Sequence, residues 1–194
     1  MTSEVDICNR ALSRLGTRAT INTLAEASTE ARTASIWYAA TRDALLRAAD
    51  WNFARRRVVL ADLGSPPSGW RYRYALPVDC LRLVGLVASA GGAAPRFEVA
   101  GEASGRVVLC DAAPAEALYV ARIEDPSLFD PSFAMALVDQ LAAHIAYPIT
   151  QKTDVAVRLA QIARASFLEA AALDASEAEG AMPGGDAEWI AARS

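Results

Sequence analysis

Residues 42–60 form the stretch RDALLRAADWNFARRRVVL, in which one hydrophobic pattern gives way to another. Up to Ala48 the apolar residues recur at spacings of three and four, as on one face of an α-helix. From Arg57 onward the chain is rich in β-branched residues, which favour strands. The stretch therefore predicts a junction between a long helix and a sheet. Trp51 and Phe53 stand between the two patterns, and we expect both rings to fill this junction.

Two helical patterns precede the junction. The first covers residues 3–15, where Ser3 can cap the helix and Gly16 can end it. The second covers residues 29–49, with Ser28 or the next residue as its cap. Its predicted buried face combines six positions: Ala31, Ala34, Tyr38, Thr41, Leu45 and Ala48.

The region after the junction changes pattern once more. Residues 55–123 consist of short β-branched or aromatic segments separated by glycine and proline turns. This pattern is typical of a small, mostly antiparallel sheet. Two helices follow, at 131–147 and 153–176. Asp130 favours the start of the first, and Pro148 predicts its end, because the residue before a proline disfavours helical backbone.

The order of these elements predicts an α+β fold. We expect a bundle of about four helices, with the small sheet inserted between helix 2 and helix 3. Residues 1–178 are predicted to form a single α+β domain. Residues 179–194 contain three glycines and a proline, which favour irregular backbone, and we expect them to form a C-terminal docking arm.

The composition bounds the class of protein. A chain of 194 residues with 53% hydrophobic and 22% charged residues favours one globular domain over a disordered chain. The net charge is −4, whereas proteins that bind DNA usually carry an excess of basic residues. No apolar run approaches the roughly 20 residues that cross a bilayer, and the acidic first residues do not resemble a secretory signal. We expect a soluble protein made in a cytoplasm.

The residue types that catalysis needs are scarce. His144 is the single histidine, and its apolar neighbours at helical spacing favour a core or interface role over acid–base chemistry. Lys152 is the single lysine, and no glycine-rich loop precedes it, which excludes a phosphate-binding P-loop. Cys8, Cys80 and Cys110 form no CxxC pair and favour neither a disulfide frame nor zinc. We expect no catalytic residue, no cofactor and no bound metal.

Several segments, taken in order, give the chain a resemblance to one family, the head-to-tail adaptor of short-tailed bacteriophages, also called tail tubular protein A. The tryptophan step at Trp51 and the turn containing Pro77 and Asp79 are its most distinctive parts. The segments span nearly the whole chain: 7–16 (ICNRALSRLG), 21–24 (INTL), 42–46 (RDALL), 51–54 (WNFA), 74–82 (YALPVDCLR), 141–150 (LAAHIAYPIT) and 189–193 (WIAAR).

The resemblance implies a structural role in the virion. Family members form a twelve-fold ring that binds the portal protein on one side and the tail nozzle or tail tip on the other. The ring extends the channel through which DNA leaves the capsid, without sequence-specific binding. An acidic protein suits such a channel, because a basic lining would retain DNA by counterion release.

Three alternatives remain open at this stage. A connector of a long-tailed phage or a gene-transfer particle would have a similar size and helical content. A virion cell-wall hydrolase would need two carboxylates in a cleft, yet Glu124, Asp125 and Asp130 suit turns and helix caps better. A DNA-binding regulator could form a helix-turn-helix from residues 11–24, but the sequence offers no basic recognition helix.

Two groups of residues are candidates for the contact with portal or with a neighbouring subunit. Trp189, Ile190 and Arg193 end the predicted arm, and tryptophan and arginine are common interface anchors. The second group is the run Arg55-Arg56-Arg57, which suits an acidic partner surface. A solvated strand edge is the alternative interpretation of the run, because charges there discourage aggregation.

Overall fold

The computed structural model describes residues 2–88, 93–103 and 105–179. Within these ranges the chain has the predicted α+β fold, in which two helices are followed by six strands and then by two further helices. The 3₁₀ turns Asn52–Ala54 and Pro126–Leu128 connect the helices to the strands. The helices are α1 (Glu4–Arg14), α2 (Thr29–Ala48), α3 (Pro131–Thr150) and α4 (Thr153–Glu179).

Side-chain caps fix where the helices begin. The hydroxyls of Ser3 and Ser28 accept backbone N–H groups of the first turns of α1 and α2, at 3.1 and 3.2 Å. The carboxylate of Asp130 does the same for α3, at 2.8 Å. Gly16 follows the end of α1 with a φ of +78°, a conformation that glycine adopts without steric cost. These boundaries agree with the local sequence signals.

Helix α3 continues past Pro148, so its predicted end at residue 147 is wrong. Proline has no N–H to donate, but here the missing hydrogen bond falls in the last turn. The Thr150 hydroxyl and the Gln151 N–H donate to carbonyls of the same turn, at 2.7 and 2.9 Å. Ile149 packs against the core. Packing and these two bonds maintain the helix until Gln151, whose φ of 57° ends it.

The strands divide between two antiparallel three-stranded sheets, where the sequence suggested one small sheet. The first has the order β1-β6-β3 and the second the order β2-β5-β4. In both, the central strand is the most buried. The strands are β1 (Arg55–Val59), β2 (Tyr72–Ala75), β3 (Cys80–Leu86), β4 (Phe97–Glu102), β5 (Gly105–Cys110) and β6 (Glu116–Ala121).

The main core lies between the helices and the first sheet. Helix α3 is central, since α1, α2 and α4 all pack against it. Leu12, Leu46, Leu137 and Leu141 have no solvent exposure. Burying each such side chain contributes about 1.5–3 kcal/mol relative to exposure. Two stretches of sequence more than eighty residues apart therefore build one core.

The predicted docking arm, 179–194, lies outside the described residues apart from its first residue, which ends α4. The interface candidates Trp189, Ile190 and Arg193 are therefore outside them as well.

Candidate functional site

An aromatic cluster occupies the junction between α2 and the strands. The Trp51 ring is fully buried and lies 5.0 Å from the Phe133 ring, edge to face. Phe53 lies 5.0 Å from Phe133 in a similar orientation and is partly buried. The indole N–H of Trp51 donates to the Leu45 carbonyl at 2.9 Å. Phe129 and Phe167 complete the cluster. These rings join elements from both halves of the chain, which is a structural role.

A buried carboxylate next to this cluster joins α4 to the start of the first sheet. Asp174 accepts two hydrogen bonds from the backbone N–H of Asn52, at 3.1 and 3.0 Å. The Asn52 side chain in turn donates to the Asp174 carbonyl at 2.6 Å. Burial raises the pKa of Asp174, although the bonds from Asn52 oppose the rise. Nothing in the local sequence indicates this contact, because its partners lie 122 residues apart.

The turn that contains Pro77 and Asp79 connects β2 to β3. The Asp79 carbonyl accepts the Arg122 N–H at 2.7 Å, and its carboxylate accepts the Tyr119 hydroxyl at 3.3 Å. The Pro77 carbonyl accepts the N–H of the first residue of β3 at 3.0 Å. Val78 stands at the tip with 99% of its surface exposed. Bonds from Tyr119 and Arg122 hold the turn in place, and the Val78 side chain is left exposed.

The arginine run lies on β1, which is an edge strand of the first sheet. Arg56 and Arg57 are exposed and Arg55 is half-buried. Arg56 donates to the carbonyls of Phe53 and Arg55, both at 2.9 Å. Across the described ranges, none of the three arginines has a carboxylate within salt-bridge distance, although seven other arginines do. The run is a concentrated positive charge available to a partner.

A groove of about 400 Å³ lies between α2, α3 and α4, and it contains His144. The His144 ring stacks on Trp37 with 5.0 Å between centroids, and its Nδ1 lies 2.9 Å from the Thr41 hydroxyl. Burial lowers the pKa of His144, which favours the neutral ring. Gln140 and Arg164 are the other polar side chains, and the rest of the lining is apolar: Ala44, Leu45, Ala48, Ala143, Ala160 and Phe167.

The groove supplies little catalytic machinery. In a nucleophile–histidine pair the base needs a third group, usually a carboxylate, to orient it. Among the side chains that the structure describes, no carboxylate lines this groove. Thr41 is itself a buried residue, and its hydroxyl is paired with the His144 ring. The arrangement holds the imidazole in place and is typical of a packed interface histidine.

Large apolar side chains are exposed on two of the helices. On α4, Val157, Ile162, Leu168 and Leu173 are 54%, 43%, 58% and 53% exposed. On α2, Ile36 is 71% exposed. A surface helix normally places polar residues on its outer face. Exposed apolar surface is usual at interfaces with other proteins when it forms a contiguous patch.

The three cysteines are free and buried. Burial and the nearby Glu4 carboxylate raise the pKa of Cys8 to about 12, and burial also raises the pKa of Cys80 and Cys110. These thiols therefore resist ionisation, which metal binding and nucleophilic attack both require. Within the described ranges, no group of three or more His, Cys, Asp or Glu side chains could hold a metal ion.

No protein-family model matches the chain, and no curated protein matches it either. None of the described helices has both the length and the apolar character needed to cross a membrane.

Proposed function

We propose that the protein is a structural subunit of a phage particle, a head-to-tail adaptor that forms a ring between the portal and the tail nozzle or tail tip. In the ring, DNA passes through a central channel without sequence-specific contacts. The proposal begins from the resemblance of the ordered sequence segments to the adaptor family. Twelve subunits and a location in the virion follow from that resemblance.

The observation that carries the proposal is the outer surface of α4. Val157 and Leu168 lie eleven residues apart, which is about three turns, so they share one side of the helix. Each is more than half exposed. The buried face of α4 is elsewhere, at Leu159, Ala163 and Ala170. An isolated subunit gains nothing from apolar residues on both sides, whereas a subunit packed between neighbours would bury the second side.

The test mixes the purified protein with portal rings from the same source and images the product. We expect end-on views with rotational symmetry and extra density on one side of the portal. Portal rings without added density, or a two-fold dimer in place of a ring, would contradict the proposal.

A charged variant tests whether the outer side of α4 forms the contact between subunits. Leu168→Glu should abolish ring formation on the portal, because assembly would bury the added charge. Ser176→Glu adds the same charge at an exposed polar position of the same helix and serves as the matched control. Both variants should keep the helix content of the parent by circular dichroism. Unchanged ring formation by Leu168→Glu would show that this side of α4 faces solvent.

A further inference from the structure

Each of the two sheets ends in a strand with one exposed side. Strand β1 is an edge of the order β1-β6-β3, and β4 is an edge of the order β2-β5-β4. Beyond Leu60 the outer side of the first strand is occupied, because the Leu63 N–H and the Ala61 carbonyl bond to β2. The stretch Arg55–Val59 precedes these contacts, and its last four residues are exposed. An exposed strand edge offers unpaired N–H and C=O groups to another strand.

The two edges carry opposite charges. Strand β1 has the sequence RRRVV, and β4 has the sequence FEVAGE. Glu98 has no salt bridge among the described residues, and Glu102 has one long pair of 3.4 Å with Arg73. Both edges also present exposed apolar side chains: Val58, Val59, Phe97 and Val99 are 37–63% exposed. The two edges are therefore complementary in charge and similar in apolar character.

We propose that β1 of one subunit pairs with β4 of the next copy of this chain, which joins the sheets of neighbouring subunits. This deepens the proposed function, on which it rests, by identifying a contact that closes the ring. The two surfaces are different, so the contact is heterologous, and repeated heterologous contacts close into rings when the rotation permits.

The charges select this pairing against the alternatives. Two β1 edges would bring six arginines together, and two β4 edges would bring four glutamates together. Like charges placed directly opposite on paired strands are destabilising. A two-fold dimer through either edge is therefore disfavoured, whereas the mixed pairing is favoured. Repulsion between wrong partners is a recognised source of specificity.

Backbone alternation restricts the register. Leu60, just after β1, donates to the carbonyl of Ala115, just before β6, so residues of odd number on β1 direct their N–H and C=O groups outward. The Leu76 N–H donates to the Arg106 carbonyl, so even-numbered residues of β5 face β2 and odd-numbered ones face β4. Each odd-numbered residue of β5 pairs with an even-numbered residue of β4, so odd-numbered residues of β4 again direct theirs outward. An antiparallel register with Val59 opposite Phe97 satisfies both strands. It also places Arg56 diagonally between Glu98 and Glu102, within reach of a long side chain.

Cross-linking tests the register directly. In that alignment residues 58 and 98 of two copies are opposite each other. An equal mixture of Val58→Cys and Glu98→Cys proteins, oxidised with and without portal rings, should give a disulfide-linked dimer of the two different chains. Each variant oxidised alone, and the parent with its three buried cysteines, should give none.

Charge reversal tests the specificity. Arg56→Glu should weaken self-association several-fold in sedimentation velocity, and so should Glu98→Arg with Glu102→Arg. The chain that carries all three changes should recover association, which a merely misfolded variant could not do. Arg32→Glu, at an exposed position on α2, is the matched control and should leave association unchanged.

The outcomes separate this proposal from the proposed function. Rings on the portal that form no 58–98 disulfide, or a triple variant that fails to recover, would overturn the β1–β4 contact and leave the adaptor role standing. The specific disulfide without any binding to portal would support the contact and count against the adaptor role. A disulfide between Val58→Cys and the portal protein would also overturn it.

Discussion

Trp51 lies next to three of the other rings in the aromatic junction. Its ring has no exposed surface and contacts aromatic residues from both halves of the chain. We expect Trp51→Ala to lower the free energy of unfolding by about 3–5 kcal/mol, the usual loss for a buried large aromatic residue. A loss of this size can give insoluble or molten protein. Urea unfolding, or the soluble yield where unfolding is not measurable, checks this prediction.

Two further variants provide reference values for this loss of stability. Trp51→Phe keeps most of the buried area but removes the N–H that the Leu45 carbonyl accepts, so its loss should be near 1–3 kcal/mol. Trp70→Ala is the control, since Trp70 is only partly buried and the Arg96 guanidinium lies 4.2 Å from its ring centroid. A Trp51→Ala protein as stable as Trp70→Ala would show that the junction does not depend on this ring.

His144 should make stability depend on pH. Its pKa in the folded protein is below the ordinary value of 6.5, because burial disfavours the charged ring. Above about pH 6.5 the ring is neutral in both the folded and unfolded chains, and it adds no penalty. As the pH falls below this value, the unfolded chain binds a proton that the folded protein resists, so the stability falls.

The comparison with His144→Gln isolates this effect, because the chain has one histidine. At pH 7.5 the variant should be less stable, since it loses the stack on Trp37. At pH 5.5 the difference should narrow, as only the parent is then destabilised by protonation. Urea midpoints at the two pH values measure it. A difference that is equal at both values would mean that the ring titrates normally.

The interior proline of α3 leads to a prediction about one element. Pro148→Ala restores an N–H that can donate to the His144 carbonyl in the last turn of the helix. We expect the free energy of unfolding to rise by about 1 kcal/mol, the typical net contribution of one hydrogen bond. Pro131→Ala is the control. Pro131 occupies the first helical position, where no donor is needed, so that change should give no gain.

The helices could be predicted to within a few residues because their signals are local. Ser3, Ser28 and Asp130 cap their helices through backbone groups two or three residues away. The end of α3 could not be predicted in this way, because packing keeps the helix intact beyond a proline that would normally end it. The division into two sheets also escaped prediction. Arg55 pairs with Val120, and no local pattern records a partner 65 residues away.

Some of the candidate functional surfaces could likewise be predicted from the sequence, and others could not. The arginine run was visible in the sequence because its three members are consecutive. The groove around His144 was not, because Thr41, His144 and Arg164 come together only when three helices pack. Asp174 gave no signal, since its partner Asn52 lies beyond the whole sheet region. Phe97 and Glu98 became a candidate edge only when the strand order was known.

The whole subunit should fold without the residues that follow α4. Among the residues that the structure describes, every buried member of the core lies between Ile7 and Ala170. Deletion after Ala178 should therefore leave helix content and the urea midpoint nearly unchanged. We also expect the truncated subunit to lose assembly on portal rings, because Trp189 and Arg193 are typical interface anchors. Imaging and circular dichroism of the same preparation measure both.

A truncated protein that still forms stable rings would refute the role of the arm in docking. A truncated protein that unfolds at a lower urea concentration would instead show that the terminal residues stabilise their own subunit. The full-length chain, purified in parallel, is the reference for both measurements.

The packing of α1 against α3 has a consequence for the order in which a new chain folds. The buried side of α1 lies against a helix that begins more than a hundred residues later. A ribosome adds roughly 5–20 residues per second, so Ile7 and Leu12 wait several seconds for their partners. Helices α3 and α4, by contrast, are adjacent in the chain and can pair as soon as both emerge. Nascent subunits should therefore be most prone to aggregate before residue 150 is made. Their second half should fold first, and α1 should pack only afterwards.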